Sequence, residues 1–175
     1  AGEQRLLIDA PPALARALRD HSLATLDTVG LDDIDHVLIT HLHGDHMGGL
    51  EQLLFWRRFV TGRKTTLHAI PDVLAGLWDT RLKGGMDTLM HADGSFSKLG
   101  LTDYADVRPL DADVTQIGPI SLEWRRTIHH IPTSAVRLRV HNNSFGYSAD
   151  TAFDPTLIAR LAETDLLCHE PHYGA

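Results

Sequence analysis

The segment Thr40-His41-Leu42-His43-Gly44-Asp45-His46 constrains this chain more than any other. It directly follows His36-Val37-Leu38-Ile39-Thr40, a short apolar, β-branched run that reads as a buried strand. Side chains just past such a strand lie at its carboxyl end, where layered α/β proteins hold ligands. His41 and His43 are two apart, so an extended backbone turns both imidazoles to one side, toward one ion. Gly44 would let the chain turn sharply without a Cβ clash and bring Asp45 and His46 round to a second ion. Imidazole and carboxylate ligands suit zinc first, and also manganese or iron. The plain alternative is a polar loop that is histidine-rich by chance. The chain has 12 histidines in 175 residues, and their concentration straight after a buried strand weighs against chance. The spacing is not the helical His-Glu-x-x-His arrangement, which relies on i, i+4 neighbours.

Two divalent ions need more ligands than one loop supplies, and the rest must come from the ends of other strands. His129-His130-Ile131-Pro132 is the first candidate, and between the two histidines the residues alone leave the choice open. Asp150, in Ser148-Ala149-Asp150-Thr151, is the second, a carboxylate placed to bridge both ions. His169-Glu170 is the third.

The pattern elsewhere predicts a mixed α/β chain. Strands are expected at 6–9, 36–40, 65–70, 107–110, 120–128, 136–140, 145–148 and 165–169, and helices at 13–21, 50–60, 71–82 and 155–162. Residues 84–97 read as a loop or lid. Trp56, Trp78, Trp124 and Cys168 are core candidates. His68 reads as a packed histidine, and His21, His36, His91 and His141 as surface or loop residues. The paired arginines 57–58 and 125–126 read as solvated faces, and Arg137 or Arg139 as a possible reach toward a substrate phosphate. The single cysteine excludes an internal disulfide, and no apolar run approaches the roughly 18 residues of a membrane span. A net charge of −7 disfavours a protein that wraps nucleic acid. With no leader in view, a cytoplasmic location is expected. The abrupt ends suggest one domain, residues 1–175, lacking N-terminal strands and a C-terminal strand or helix.

The segment 41–46 resembles the histidine signature of the metallo-β-lactamase superfamily. The downstream pieces are most similar to its ribonuclease Z-like phosphodiesterase branch: His129 before Pro132, Ser148-Ala149-Asp150-Thr151 where that branch has Ser-Gly-Asp-Thr, and His169-Glu170 as part of a His-Glu box. The resemblance implies a four-layer αβ/βα sandwich with mixed sheets and a dinuclear site. His41, His43 and His129 would hold one ion, Asp45 and His46 the other, with Asp150 bridging. His169 would be a general acid or base, and Asp45 would also orient the nucleophile. The last ligand would lie beyond Ala175, or be His172. Only 20 residues separate His129 from Asp150, which leaves no room for the tRNA-clamping arm of ribonuclease Z itself. The implied activity is therefore metal-dependent hydrolysis of a small phosphodiester such as a cyclic nucleotide, by a chain that is a candidate homodimer. An ester, thioester or lactone hydrolase is the second reading, and a non-catalytic metal-binding or sensing module the third.

Overall fold

The computed structural model describes residues 4–170. In chain order its elements are β1 (Leu6–Ile8), α1 (Leu14–Ala24), β2 (His36–Leu38), α2 (Gly44–Met47), α3 (Leu50–Phe55), β3 (Thr65–Ala69), α4 (Pro71–Leu77), α5 (Lys83–Met86), β4 (Thr88–Met90), β5 (Phe96–Lys98), α6 (Leu101–Tyr104), β6 (Ala105–Pro109), β7 (Thr115–Ile117), β8 (Ile120–Arg126), β9 (Ser134–Val140), β10 (Asn143–Tyr147), α7 (Pro155–Leu161) and β11 (Leu166–Cys168). Parallel neighbours require a crossover, and helices supply it. The first sheet, in the order β1-β2-β3-β6, is parallel throughout. The second, β11-β10-β9-β8-β7, is antiparallel except for β10 and β11, which α7 connects.

The apolar alternation shows how the sheets stack. Val37, Leu38 and Leu67 of the first sheet share one core with Ile117, Leu122, Val136 and Leu138 of the second. Leu53, Leu54, Val73 and Leu77, from α3 and α4, join the same core. On β9 the alternate residue Ala135 packs instead with Leu157 and Leu161 of α7. Helices, parallel sheet, mixed sheet and α7 are thus the four layers the resemblance implies.

Several local expectations need correction. Residues 84–97 are not a bare loop, since α5 ends there and β4 pairs with β5 as a hairpin. β7 escaped notice because it has only three residues. It joins β8 through a two-residue turn that starts at Gly118, whose φ of +55° suits glycine. The predicted helices 50–60 and 71–82 are completed by wider π-type turns at Trp56–Val60 and Trp78–Leu82. Arg57 sits in the first of these and is buried, with Nη2 3.4 Å from an Asp35 carboxylate oxygen, so it is not part of a solvated face. Trp56 is 40% exposed. Cys168 is exposed too, because β11 turns Leu167 inward and its two neighbours out. Among the described residues no helix is long and apolar enough to cross a membrane.

Candidate metal centre

The carboxyl ends of β1 and β2 meet the start of β9 and the end of β10 at one edge of the sandwich. The Thr40 carbonyl accepts from the Ser134 amide at 3.2 Å, tying the two sheets together there. α2 begins at Gly44 and carries Asp45 and His46 in its single turn. Gly44 has no positive φ, and a Cβ there would meet nothing, so the turn does not depend on glycine as expected.

Four donor atoms converge. His41 Nε2 lies 3.1 Å from His43 Nδ1, which lies 3.3 Å from His129 Nε2. Asp150 Oδ2 is 3.4, 3.8 and 3.7 Å from these three nitrogens respectively. A tetrahedral ion with ligands at about 2.0–2.1 Å has ligand-to-ligand edges of about 3.3–3.4 Å, so this set fits a zinc-sized cation. The other Asp150 oxygen, Oδ1, lies 3.0 Å from His46 Nε2, and Asp45 Oδ2 lies 3.6 Å from the same nitrogen. The six residues of the candidate set are therefore adjacent, and Asp150 turns one oxygen to each half.

Behind the cluster is Asp9, which the sequence reading passed over as the end of a strand. It is buried, with φ of +60°. Its carboxylate accepts from the Thr40 amide at 2.8 Å, from Thr40 Oγ1 at 2.9–3.0 Å, from Tyr147 Oη at 3.3 Å and from His46 Nδ1 at 2.7 Å. Thr40 Oγ1 also lies 3.1 Å from His41 Nδ1. Because its proton goes to Asp9, it accepts from that ring. One carboxylate thus fixes the tautomers of two histidines, leaving each Nε2 lone pair to face the cluster. An apolar strand ending in a lone aspartate was the available signal.

Burial, then the positive neighbour His46, pushes the His41 pKa down to about 4, so the imidazole is neutral and ready to ligate. Burial also lowers His129. The hydrogen bond to Asp9 raises His46 instead.

His130 does not face away as an extended segment would require. Residues 128–131 bend, and His130 Nε2 comes 3.1 Å from His43 Nε2, on the outer side of that ring. His169 makes no hydrogen bond or ion pair with the cluster among the described residues. Its Nδ1 donates to the Glu170 carbonyl at 2.7 Å, and its buried Nε2 has no partner. The Glu170 carboxylate accepts from the Thr151 amide at 2.7 Å, next to Asp150. Arg137 pairs with Glu123 and Glu163 on the α7 side of its sheet and does not serve the cluster. His68 is a buried core residue, as expected. His36 opens β2, as the predicted strand 36–40 has it, and is half-buried with Nδ1 3.1 Å from His68 Nε2. His172 lies outside the described residues.

Fold and site together define the metallo-β-lactamase class. The chain superposes on the metallo-β-lactamase fold protein YhfI of Bacillus subtilis with a TM-score of 0.67 at 17% identity, over 93% of this chain and 57% of that one. The Zn²⁺-bound PqqB of Methylobacterium extorquens gives 0.67 at 20% identity, over 95% and 56%. A diphosphatase of the PhnP family gives 0.63 at 18%, over 95% and 58%. Within that class the sequence is specific: the description of anti-Pycsar protein Apyc1 matches residues 1–173, and the chain belongs to that family. It is 39% identical over 167 residues to the Apyc1 of Paenibacillus sp. (strain J14), covering 92% of this chain and 61% of that protein. It is 37% identical over 164 residues to the Apyc1 of Bacillus phage BSP38, covering 87% and 60%. The chain spans about three fifths of the length of these relatives.

Proposed function

We propose that this chain carries the metal site of a phosphodiesterase that opens small cyclic nucleotides, with two divalent ions, zinc foremost. The observation that carries the reading is the division of Asp150 between two sets of nitrogen and oxygen donors. The family supports the substrate class, since anti-Pycsar proteins degrade cyclic pyrimidine nucleotides. The interval 129–150, filled by β9 and β10, supports a small substrate over tRNA.

In this reading His41, His43 and His129 hold one ion, Asp45 and His46 the other, and Asp150 both. Divalent ions held there would lower the pKa of a bound water and offset phosphoryl charge. Asp9 keeps His41 and His46 in the ligating tautomer. Asp45, 77% exposed, is the ligand open to solvent and can accept a proton from the attacking water. As an imidazolium, His169 would give the leaving alkoxide its Nε2 proton and remain the neutral tautomer whose Nδ1–H stays on the Glu170 carbonyl.

The test is metal analysis of protein purified without chelator, followed by turnover of 3′,5′-cyclic nucleotides, a thioester and a lactone. Close to two ions per chain and chelator-sensitive release of nucleoside monophosphate are expected. Turnover confined to the thioester or lactone would establish the second reading, and full activity without a bound transition metal would overturn both.

A further inference from the structure

Beside the donor cluster lies a recess of about 270 Å³ that the reading above does not use. Its apolar walls are Leu42, Val73, Ile131 and Pro132, and its polar side chains include Asp72 and Arg81. Leu42 stands between His41 and His43, while Ile131 and Pro132 follow His130 directly. The recess therefore borders the same two loops that supply three of the histidine donors.

Resting on the phosphodiesterase reading, we propose that this recess is the nucleobase subsite. A cyclic nucleotide fixes its phosphodiester and its base at opposite ends of a fused sugar ring. With the phosphate at the donor cluster, the base must lodge in a neighbouring recess. At about 30 Å³ per water the volume equals about nine waters, enough for a base of eight to eleven non-hydrogen atoms. A base needs apolar contact on its faces and hydrogen bonds on its edge. The recess supplies both. Arg81 only donates, and among the described residues it has no partner. Asp72 only accepts. Arg126 binds one of its oxygens, Oδ2, and leaves Oδ1 for an exocyclic amine or ring N–H.

Gly76 gives a second, independent indication. It lies inside α4, where glycine costs about 1 kcal/mol relative to alanine. A Cβ at this position would come 3.1 Å from Leu42 Cδ1, a neighbouring part of the recess wall. Glycine here lets Leu42 pack closely on α4, so a larger side chain at 76 would push into the recess that both residues line.

The experiment compares kcat/KM of the full chain for a 3′,5′-cyclic nucleotide and for 1-O-methylribose 3′,5′-cyclic phosphate, which lacks a base. Gly76→Leu should lower the ratio of the two at least about tenfold, the size of a filled-pocket effect, and Arg81→Ala about three- to tenfold. Arg81 is exposed, so that variant stands even if Gly76→Leu misfolds. An unchanged ratio in both overturns the base subsite and leaves the phosphodiesterase reading intact. If the unmodified chain turns over neither ester, the phosphodiesterase reading fails, and saturation-transfer NMR with cytidine and adenosine still decides the subsite. Base-proton signals that Arg81→Ala or Gly76→Leu weakens support it, and signals that are absent or unaltered overturn it.

Discussion

Replacing Asp9 by Asn exchanges one carboxylate oxygen for an NH₂ and leaves volume and backbone nearly untouched. Asn is chosen because it tolerates the left-handed region that φ of +60° occupies, where Ala would add strain. The carboxylate has two acceptor oxygens for four donors: the Thr40 amide and hydroxyl, Tyr147 Oη and His46 Nδ1. If the amide oxygen stays with Thr40, the NH₂ faces His46 Nδ1. Two donors then oppose each other, and His46 must carry its proton on Nε2, the atom 3.0 Å from Asp150 Oδ1. A protonated Nε2 cannot ligate. If the amide oxygen turns to His46, the Thr40 amide and hydroxyl lose their acceptor, and with them goes the support for His41 Nδ1. Either way one ligand is misassigned. Loss of such a supporting partner lowers metal affinity about 10- to 100-fold, which is about 1.4–2.7 kcal/mol. Competition for zinc against a fluorescent chelator at pH 7.5 measures it, with circular dichroism to confirm the fold. Affinity within twofold of the unmodified chain would refute the tautomer argument.

Three further outcomes are expected. His129→Ala should lose bound metal and activity, whereas His130→Ala, on the outer side of His43, should keep most of both, as metal analysis will read. The buried His68 has its pKa pushed down to about 4, chiefly by burial, so below pH 6.5 the unfolded chain takes up a proton that the folded chain refuses. Stability should therefore fall as pH drops from 6.5 toward 4, by at most about 3 kcal/mol at 1.36 kcal/mol per unit, and urea titrations across that range should show His68→Gln lacking this part of the slope. His169→Ala should lower turnover about 10²- to 10⁴-fold with metal content unchanged, and less for a p-nitrophenolate leaving group, whereas loss of an ion would make His169 a ligand.

How much of this was legible follows from what each residue's neighbours in sequence reveal. The strand before His41 and the i, i+2 spacing expose the first two donors without any tertiary information. Asp150 and His129 became legible only through order along the chain, because their partners lie about 90 to 110 residues away. His130 lies on the outer side of His43 because residues 128–131 bend, and nothing in the sequence of that segment announces the bend. Asp9 was missed for another reason: a single aspartate after three apolar residues gives no sign that four donors will converge on it. The recess beside Leu42 was equally hidden, since α4 and the 129–132 bend meet only in three dimensions. Small errors at strand ends, such as β7, reflect elements too short to show a period.

The backbone itself marks where the centre is held. Three non-glycine residues have positive φ among those described, and two of them, Asp9 and Ala149, belong to or adjoin the donor set. Such a conformation costs about 1–2 kcal/mol for an L-residue and persists only where the surroundings enforce it. Asp9 ends a strand of the first sheet, and Ala149 follows a strand of the second and precedes Asp150. At Asp9 the enforcement is visible as four hydrogen bonds to one carboxylate. At Ala149 it is close packing of a residue 1% exposed, at the position where the ribonuclease Z-like signature places glycine. The strain therefore sits at the ends of both sheets, which the Ser134 to Thr40 hydrogen bond locks together. The donor geometry is consequently a property of how the two sheets dock, because His41 and His43 follow a strand of the first sheet while His129 and Asp150 follow strands of the second.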